Sequence, residues 1–425
     1  MTRWTIAPDA RTLLAGGRPS FLLADTVWAA FTSCTEREWD DHTELRRRQG
    51  FNAVLVSVLP IAHDRSDTAS RSPYRLTGHG PDLDGGDGDY WTRASAMLGL
   101  ARERGLTPLP VVLWNNFVPG TWGARATPGL VLDAERTLDL VARCVEAFAE
   151  HEPVWVVSGD DSFADSAEGT VALERYALAA RELRRLDPGS LLTWHHTPTA
   201  RMPAELADGP LVDLHGVQSG HDEAWASAPL ELARHYRAMA VPRPVVNLEP
   251  CYEGLGWGGR SRHRREEVRR ASWTGVVAGA AAGLGYGAHG VWSWHRRGAG
   301  FTAQDVHGLP FPASVAAQFE GALDAAFVRE VVEAEGLLDL AEAPGLLHPE
   351  PSGALAGRTP GGVVAVYVPH PFAVRLRDVP GQAQVTTYDL ARRRAEPGRL
   401  VGTGGDRWLE QPEFLGDALH VVRFR

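Results

Sequence analysis

Two carboxylates in this chain stand where a buried strand gives way to loop. In Pro244-Val245-Val246-Asn247-Leu248-Glu249-Pro250 an apolar run reads as a strand covered on both faces, and it ends in an acid. Pro250 has no N–H to give a sheet ladder, so the strand stops there. Pro153-Val154-Trp155-Val156-Val157-Ser158-Gly159-Asp160-Asp161 repeats the arrangement. Asp and Gly are common in turns for backbone reasons alone, yet two such strands put two acids at one end of a fold. Cleavage of a glycosidic bond with retention uses a carboxylate pair about 5 Å apart, one as nucleophile and one as acid/base. Glu249 would attack the anomeric carbon and Asp160 would protonate the leaving oxygen. That role needs an Asp160 pKa raised by burial near Trp155 or by the charge of Glu249. Asp161 is the rival acid, and the sequence leaves open which of the two points inward.

The elements that must position these acids alternate along the chain. Residues 21–25 form an apolar strand ending in Asp25, and Thr35-Glu36-Arg37-Glu38 is a capping box that opens a helix running to about Gln49. Further strands are expected at 52–58, 109–114, 154–158, 191–195, 211–217 and 245–249, with the eighth and its exit within 285–294. Helices fall between them at 90–104, 133–150, 168–186, 228–239 and 264–282, with a last one at 313–334. Eight strands alternating with helices imply the α/β class, a (β/α)8 TIM barrel over residues 1–334 whose working face is the strand carboxyl ends. No glycine-rich phosphate turn follows the first strand, which argues against a doubly wound sheet. Beyond it the texture changes to short β-rich runs at 363–368, 373–379, 384–390 and 418–424, a small antiparallel β-sandwich spanning 335–425.

The strand ends collect groups suited to a polyhydroxylated ring. Asp25, Asn116, His195, His196, Gln218, His221, Tyr252 and His289 offer hydrogen bonds, and Asp161 joins them if it is not the acid. Trp28, Trp114, Trp122, Trp257, Trp292 and Trp294 offer indole faces on which sugar C–H faces stack. The long loops 60–89 and 115–132 are placed to wall off one side, favouring a pocket and removal of a terminal sugar.

Other chemistries are disfavoured. The chain has no lysine, which removes Schiff-base chemistry and the P-loop lysine. The Gly-Asp loop at 82–89 lacks EF-hand spacing. His195, His196, His215 and His221 could suggest a metal-dependent hydrolase, but the first strand brings Asp25 and no histidine, so no metal and no cofactor are expected. A barrel that binds sugar without turning it over is the other alternative. A net charge of −10 argues against nucleic acid and anionic membrane as partners. The cluster Arg260, Arg262, Arg264, Arg265, Arg269, Arg270 reads as the solvated entry to a helix. Cys34, Cys144 and Cys251 are odd in number and far apart, and no apolar leader or 18-residue apolar run is present, so a cytoplasmic protein is expected.

Taken in order, Phe21-Leu-Leu-Ala-Asp-Thr-Val-Trp28, Trp194-His195-His196, Gln218-Ser-Gly-His221, Asn247-Leu-Glu-Pro-Cys-Tyr-Glu-Gly254 and Tyr286-Gly-Ala-His-Gly-Val-Trp292 resemble the apiosidase-like family. This group is similar to glycoside hydrolase family 140, in which a barrel precedes a β-sandwich labelled collagen-binding. The resemblance spans about 15–425 and implies glycosidic hydrolysis, with Asp160 and Glu249 at the catalytic positions. Gly159-Asp160 departs from the Asn-Glu pair usual in the wider barrel clan.

Overall fold

The computed structural model describes residues 3–163, 166–198, 200–259, 261–348, 353–377, 379–380, 382–402 and 407–424, so Arg260 of the arginine cluster lies outside the described residues. Eight parallel strands form the centre: β1 (Leu22–Thr26), β2 (Ala53–Ser57), β3 (Thr107–Trp114), β4 (Trp155–Gly159), β5 (Leu192–Thr193), β6 (His215–Gln218), β7 (Val245–Glu249) and β8 (Gly283–Tyr286). All eight are buried along their whole length, as barrel strands covered by helices outside and side chains inside must be. The ladder runs β5-β4-β3-β2-β1-β8-β7-β6, so β1 and β8 pair and the barrel is nearly closed. Among the described residues no ladder joins β5 to β6. The amino end of that gap is bridged instead by Asp213, whose backbone N–H donates to Leu192 O at 2.9 Å and whose carboxylate accepts from Leu192 N at 2.7 Å.

Each strand returns through helix: α1 (Glu36–Arg48), α2 (Tyr90–Glu103), α3 (Ala134–Phe148), α4 (Ala167–Leu186), the single turn α5 (Ala204–Ala207), α6 (Ala228–Arg237), α7 (Arg265–Ala278) and α8 (Gly321–Ala334). The Thr35 capping box forms: Glu38 N–H donates to Thr35 Oγ1 at 3.2 Å, and Thr35 N–H donates back to the Glu38 carboxylate at 2.8 Å. Several expected boundaries move: the eighth strand starts earlier, at Gly283, the sixth starts later, at His215, and the fifth shortens to Leu192–Thr193. The run Ala280-Ala281-Ala282 favours helix, but Gly279 adopts φ +119 and ends α7 before it, a left-handed stop that glycine tolerates. Residues expected in one helix at 313–334 split into a turn at Ala313–Ala316 and α8. A three-stranded hairpin unit at Trp4–Ile6, Leu13–Ala15 and Arg18–Pro19 precedes the barrel and was not anticipated.

The C-terminal region holds a six-stranded antiparallel sheet, in the order Ala341–Glu342, Leu355–Arg358, Val364–Val368, Ala418–Phe424, Ala383–Asp389 and Arg394–Pro397. A three-stranded sheet of Val374–Leu376, Arg407–Leu409 and Leu400–Val401 accompanies it. Side chains alternate along a strand. Val364, Val366 and Val368 share an apolar cluster with Val374, Leu376 and Leu409 of the smaller sheet, while Ala365 and Tyr367 join the core of the barrel. The seam is also electrostatic. Arg269 of α7 reaches Asp324 of α8 at 2.9 Å and Asp417 at 2.7 Å, and Asp324 also takes Arg265 and Arg393, each at 2.7 Å. No helix among the described residues is long and apolar enough to cross a membrane.

Candidate active site

Glu249 ends β7 and is 6% exposed. One carboxylate oxygen lies 2.8 Å from His221 Nε2, and the other lies 3.1 Å from His195 Nε2. In each imidazole the second nitrogen is already engaged. His221 Nδ1 accepts from the Tyr252 backbone N–H, and His195 Nδ1 accepts from the Asp160 backbone N–H, both at 3.2 Å. A neutral imidazole that accepts at Nδ1 carries its proton at Nε2. His221 therefore donates its N–H to Glu249, and His195 holds its Nε2–H beside the other oxygen of that carboxylate. Burial pushes its pKa up, but hydrogen bonds from His195 and His221 outweigh this and hold it well below the usual carboxylate range. The Tyr252 phenol beside it is kept protonated by burial and by the Glu249 charge.

Asp160 is arranged differently. It follows β4 in the left-handed region at φ +57, which Asp tolerates better than most side chains. Its carbonyl accepts from Asn115 Nδ2 at 2.7 Å and Trp122 Nε1 at 3.1 Å, so the bend is tied down on the side of the loop after β3. The preceding Gly159 is required by packing, since a Cβ there would come within 2.3 Å of the Trp114 indole. Burial, then the charge of Glu249, push the Asp160 pKa up to about 7, with Asp64 and Asp161 adding to the effect. Trp155, the expected source of that burial, is not it: its indole donates to Asp187 at 2.9 Å instead. Asp161 turns into its own loop, where its carboxylate accepts from Phe163 N–H at 3.2 Å.

Asp160 and Glu249 open into one cavity of about 670 Å³. Trp28, Trp114, Trp257, Trp292, Gln218, His221 and Tyr252 line it too, as does Trp122. Trp28 and Trp114 meet edge to face with ring centres 5.0 Å apart. Other expected residues fall outside the lining. Asp25 is 1% exposed and faces α1, where Arg46 Nε lies at 2.9 Å and His42 Nε2 at 2.6 Å. Barrel strands turn alternate residues to opposite faces, so a strand end alone does not say which side an acid takes. Trp294 packs at right angles on that same His42, with ring centres 5.4 Å apart. His196 accepts from the Tyr236 hydroxyl at 2.9 Å, and His289 donates to Gly308 O at 2.9 Å. Asn116 braces the loop ahead of it, and His195 lies behind Glu249, where it orients the carboxylate.

The cavity also contains residues that sequence reading passed over. His63 and Asp64 follow β2, and His307 follows β8. The two segments are stitched together: Ser66 bridges Phe301, Asp67 N–H donates to Gly300 O at 3.0 Å, and Thr302 Oγ1 donates to His63 O at 2.7 Å. Across this wall His307 Nε2 meets Asp64 at 3.2 Å. Burial opposes the charge on both, but the pairing prevails, raising the His307 pKa and lowering that of Asp64. The closeness of His63 and Asp64 to the carboxyl end of β2 was the available signal; His307, well past β8, offered none. Among the described residues no group of three or more His, Cys, Asp or Glu is set to hold a metal ion.

The family model of apiosidase-like catalytic domains matches residues 8–339. Among solved structures, a glycoside hydrolase family 5 protein from Bacteroides vulgatus ATCC 8482 superposes with a TM-score of 0.80 at 17% identity, over 99% of this chain and 92% of its own. A second structure described as a glycoside hydrolase gives 0.79 at 16% identity, over 99% of this chain and 96% of that one. The endo-1,4-beta-mannanase from Rhizomucor miehei gives 0.53 at 10% identity, over 78% and 99%. At these identities the likeness is one of fold. No curated protein matches the chain in sequence.

Proposed function

The chain belongs to the apiosidase-like family and is a glycoside hydrolase of the TIM-barrel type, and from that premise we propose that it works with retention, Glu249 as nucleophile and Asp160 as acid/base. The observation that carries this is the division of labour between two carboxylates in one cavity. Glu249, under two imidazole N–H groups, is held ionised, while Asp160 is held protonated up to about pH 7. An ionised carboxylate can attack an anomeric carbon, and a protonated one can release the leaving group.

In the first step the Glu249 carboxylate bonds to the anomeric carbon as the glycosidic bond breaks. The Asp160 proton goes to the departing oxygen. Water then attacks the glycosyl ester, giving its proton to the Asp160 carboxylate and freeing Glu249. Indoles on the cavity wall shed water and stack on C–H faces of the sugar, and Gln218 and Tyr252 offer hydrogen bonds to its hydroxyls.

The cavity is of small-molecule size and is walled by the stitched segments after β2 and β8. This supports an exo-acting enzyme that takes a terminal sugar, apiose-like or another furanose or pyranose, from short glycosides. The test is a panel of nitrophenyl glycosides and plant-derived oligosaccharides, with product anomers read by NMR. Retention and early monosaccharide release are expected. An inverted first product, or internal fragments ahead of any monosaccharide, would overturn the corresponding half of the reading.

A further inference from the structure

The wall beside the acid carries an imidazole of the opposite tautomer. We propose that His63 is a positioning residue: fixed by Asn116 with its proton on Nδ1, it presents Asp160 with a lone pair instead of an N–H, and so keeps on Asp160 the proton that leaving-group departure needs. This rests on the reading of Asp160 as the acid.

The tautomer follows from the amide. Asn116 Oδ1 lies 3.4 Å from the Ala62 N–H, and its Nδ2 lies 3.4 Å from Gly123 O and 3.0 Å from Thr127 Oγ1. Only the oxygen can face an N–H and only the NH2 can face a carbonyl, so the amide has one orientation. Its oxygen is then 2.9 Å from His63 Nδ1, which must be the donor. Burial pushes the His63 pKa down, so the ring is neutral and Nε2 is bare. That nitrogen stands 3.8 Å from Asp160 Oδ2, beyond hydrogen-bond range but close enough to occupy the place of a donor. The ring cannot easily turn away. It rests on Trp122 with centres 4.5 Å apart, and its own carbonyl is held by Thr302.

No other side chain among the described residues supplies the missing donor. Among the described residues no hydrogen bond reaches the Asp160 carboxyl. The groups that face it are Glu249 from β7, Asp64 beside His63, Asp161 in its own loop, His195 after β5, His307 after β8 and Tyr176 from α4. His195 holds its N–H beside Glu249 and turns Nδ1 to the Asp160 backbone, His307 meets Asp64, and His63 itself faces Asp64 and His307. The same residue type thus does opposite work at the two carboxylates. Two imidazoles give Glu249 an N–H each, and one withholds it from Asp160.

The test uses the full chain with 13C-labelled aspartate, the Asp160 signal being assigned by its loss in Asp160→Asn. His63→Ala admits water, which donates, and should lower the Asp160 midpoint by about one pH unit, roughly tenfold in proton affinity. His63→Phe fills the space without a donor and should leave it within about 0.3 units of the parent. The alkaline limb of kcat/KM on a nitrophenyl glycoside that the parent turns over should follow the same order. An unchanged midpoint in His63→Ala, or 15N shifts that put the His63 proton on Nε2, would overturn the proposal. If the midpoints move as expected but Asp160→Asn still cleaves substrates with poor leaving groups, the acid assignment falls while the hold of His63 on the proton stands.

Discussion

The barrel mouth and the seam with the C-terminal sheets both bury carboxylates, and they treat them in opposite ways. At the seam Asp324, 2% exposed, is met by three guanidinium groups, and Asp417 is met by Arg269. Asp25 against α1 follows the same rule, with Arg46 beside it. In the mouth the charge on Glu249 is answered by two neutral rings, and the Asp160 carboxyl meets no hydrogen bond among the described residues. An ion pair fixes a carboxylate in one protonation state and spends its reactivity on a partner. Hydrogen bonds from neutral donors keep a charge in place while leaving it able to attack, and withholding donors keeps a proton ready to leave. The contrast separates acids that hold the fold from acids that can do chemistry.

The largest effect that would sharpen the contrast is on turnover alone. Glu249→Gln removes the proposed nucleophile and should reduce kcat by roughly 10³-fold or more while the melting curve stays close to the parent's. Near-native turnover would put the nucleophile elsewhere. At the seam the outcome should invert. Asp324→Ala leaves buried guanidinium groups unpaired and should destabilise the protein by about 3–5 kcal/mol in urea titration, with little change in kcat for the fraction still folded.

Asp160→Asn should do something neither of these does. Its parent carboxyl has a pKa near 7 in the folded state against 3.8 for the ordinary group, so the folded state binds the proton more tightly. As pH rises from about 4 to about 7 the unfolded chain ionises first, and stability contributed by this group is lost. The variant cannot ionise, and above pH 7 it should be more stable than the parent by roughly 1–3 kcal/mol, though catalytically impaired. A destabilised variant at pH 8 would mean the carboxylate is better satisfied than its surroundings indicate. The smallest effect is in the parent: kcat/KM should fall about tenfold between pH 6 and pH 8 as Asp160 loses its proton. A flat profile there would place the acid's titration outside this window.

The barrel was legible because alternation of short apolar strands with periodic helices survives without tertiary information, and stop signals such as Pro250 sit in the chain itself. Asp160 and Glu249 stood out for the same reason. Asp25 was misjudged because parity along β1 is set by register against neighbouring strands, which period-2 reading of a fully buried run cannot recover. His196, His289 and Trp294 lie near strand ends yet turn to Tyr236, Gly308 and His42, contacts made by segments distant in sequence. His63, Asp64 and His307 went unremarked because the segments carrying them have no periodicity, and their meeting depends on one loop finding another 240 residues or so away. The Arg cluster was read as solvated, but Arg269 is 5% exposed and carries the seam.

The gap between β5 and β6 gives Glu249 a second consequence. Among the described residues no ladder joins these strands, and what spans the gap at its amino end is Asp213, with Thr193 Oγ1 donating to Leu214 O at 3.0 Å. At its carboxyl end the span is Glu249 itself, since His195 comes from the β5 side and His221 from the β6 side, and both close on one carboxylate. The proposed nucleophile is therefore also a clasp across the one line of the cylinder that no strand ladder closes among the described residues. When it becomes esterified to a sugar, one oxygen is committed to carbon and the clasp loosens on that side. Local opening is set by the weakest contacts of a structure, so amide protons along β5 and β6 would exchange with solvent faster in the glycosylated enzyme than in the free one. Chemistry at the mouth would then be written into the breathing of the barrel wall.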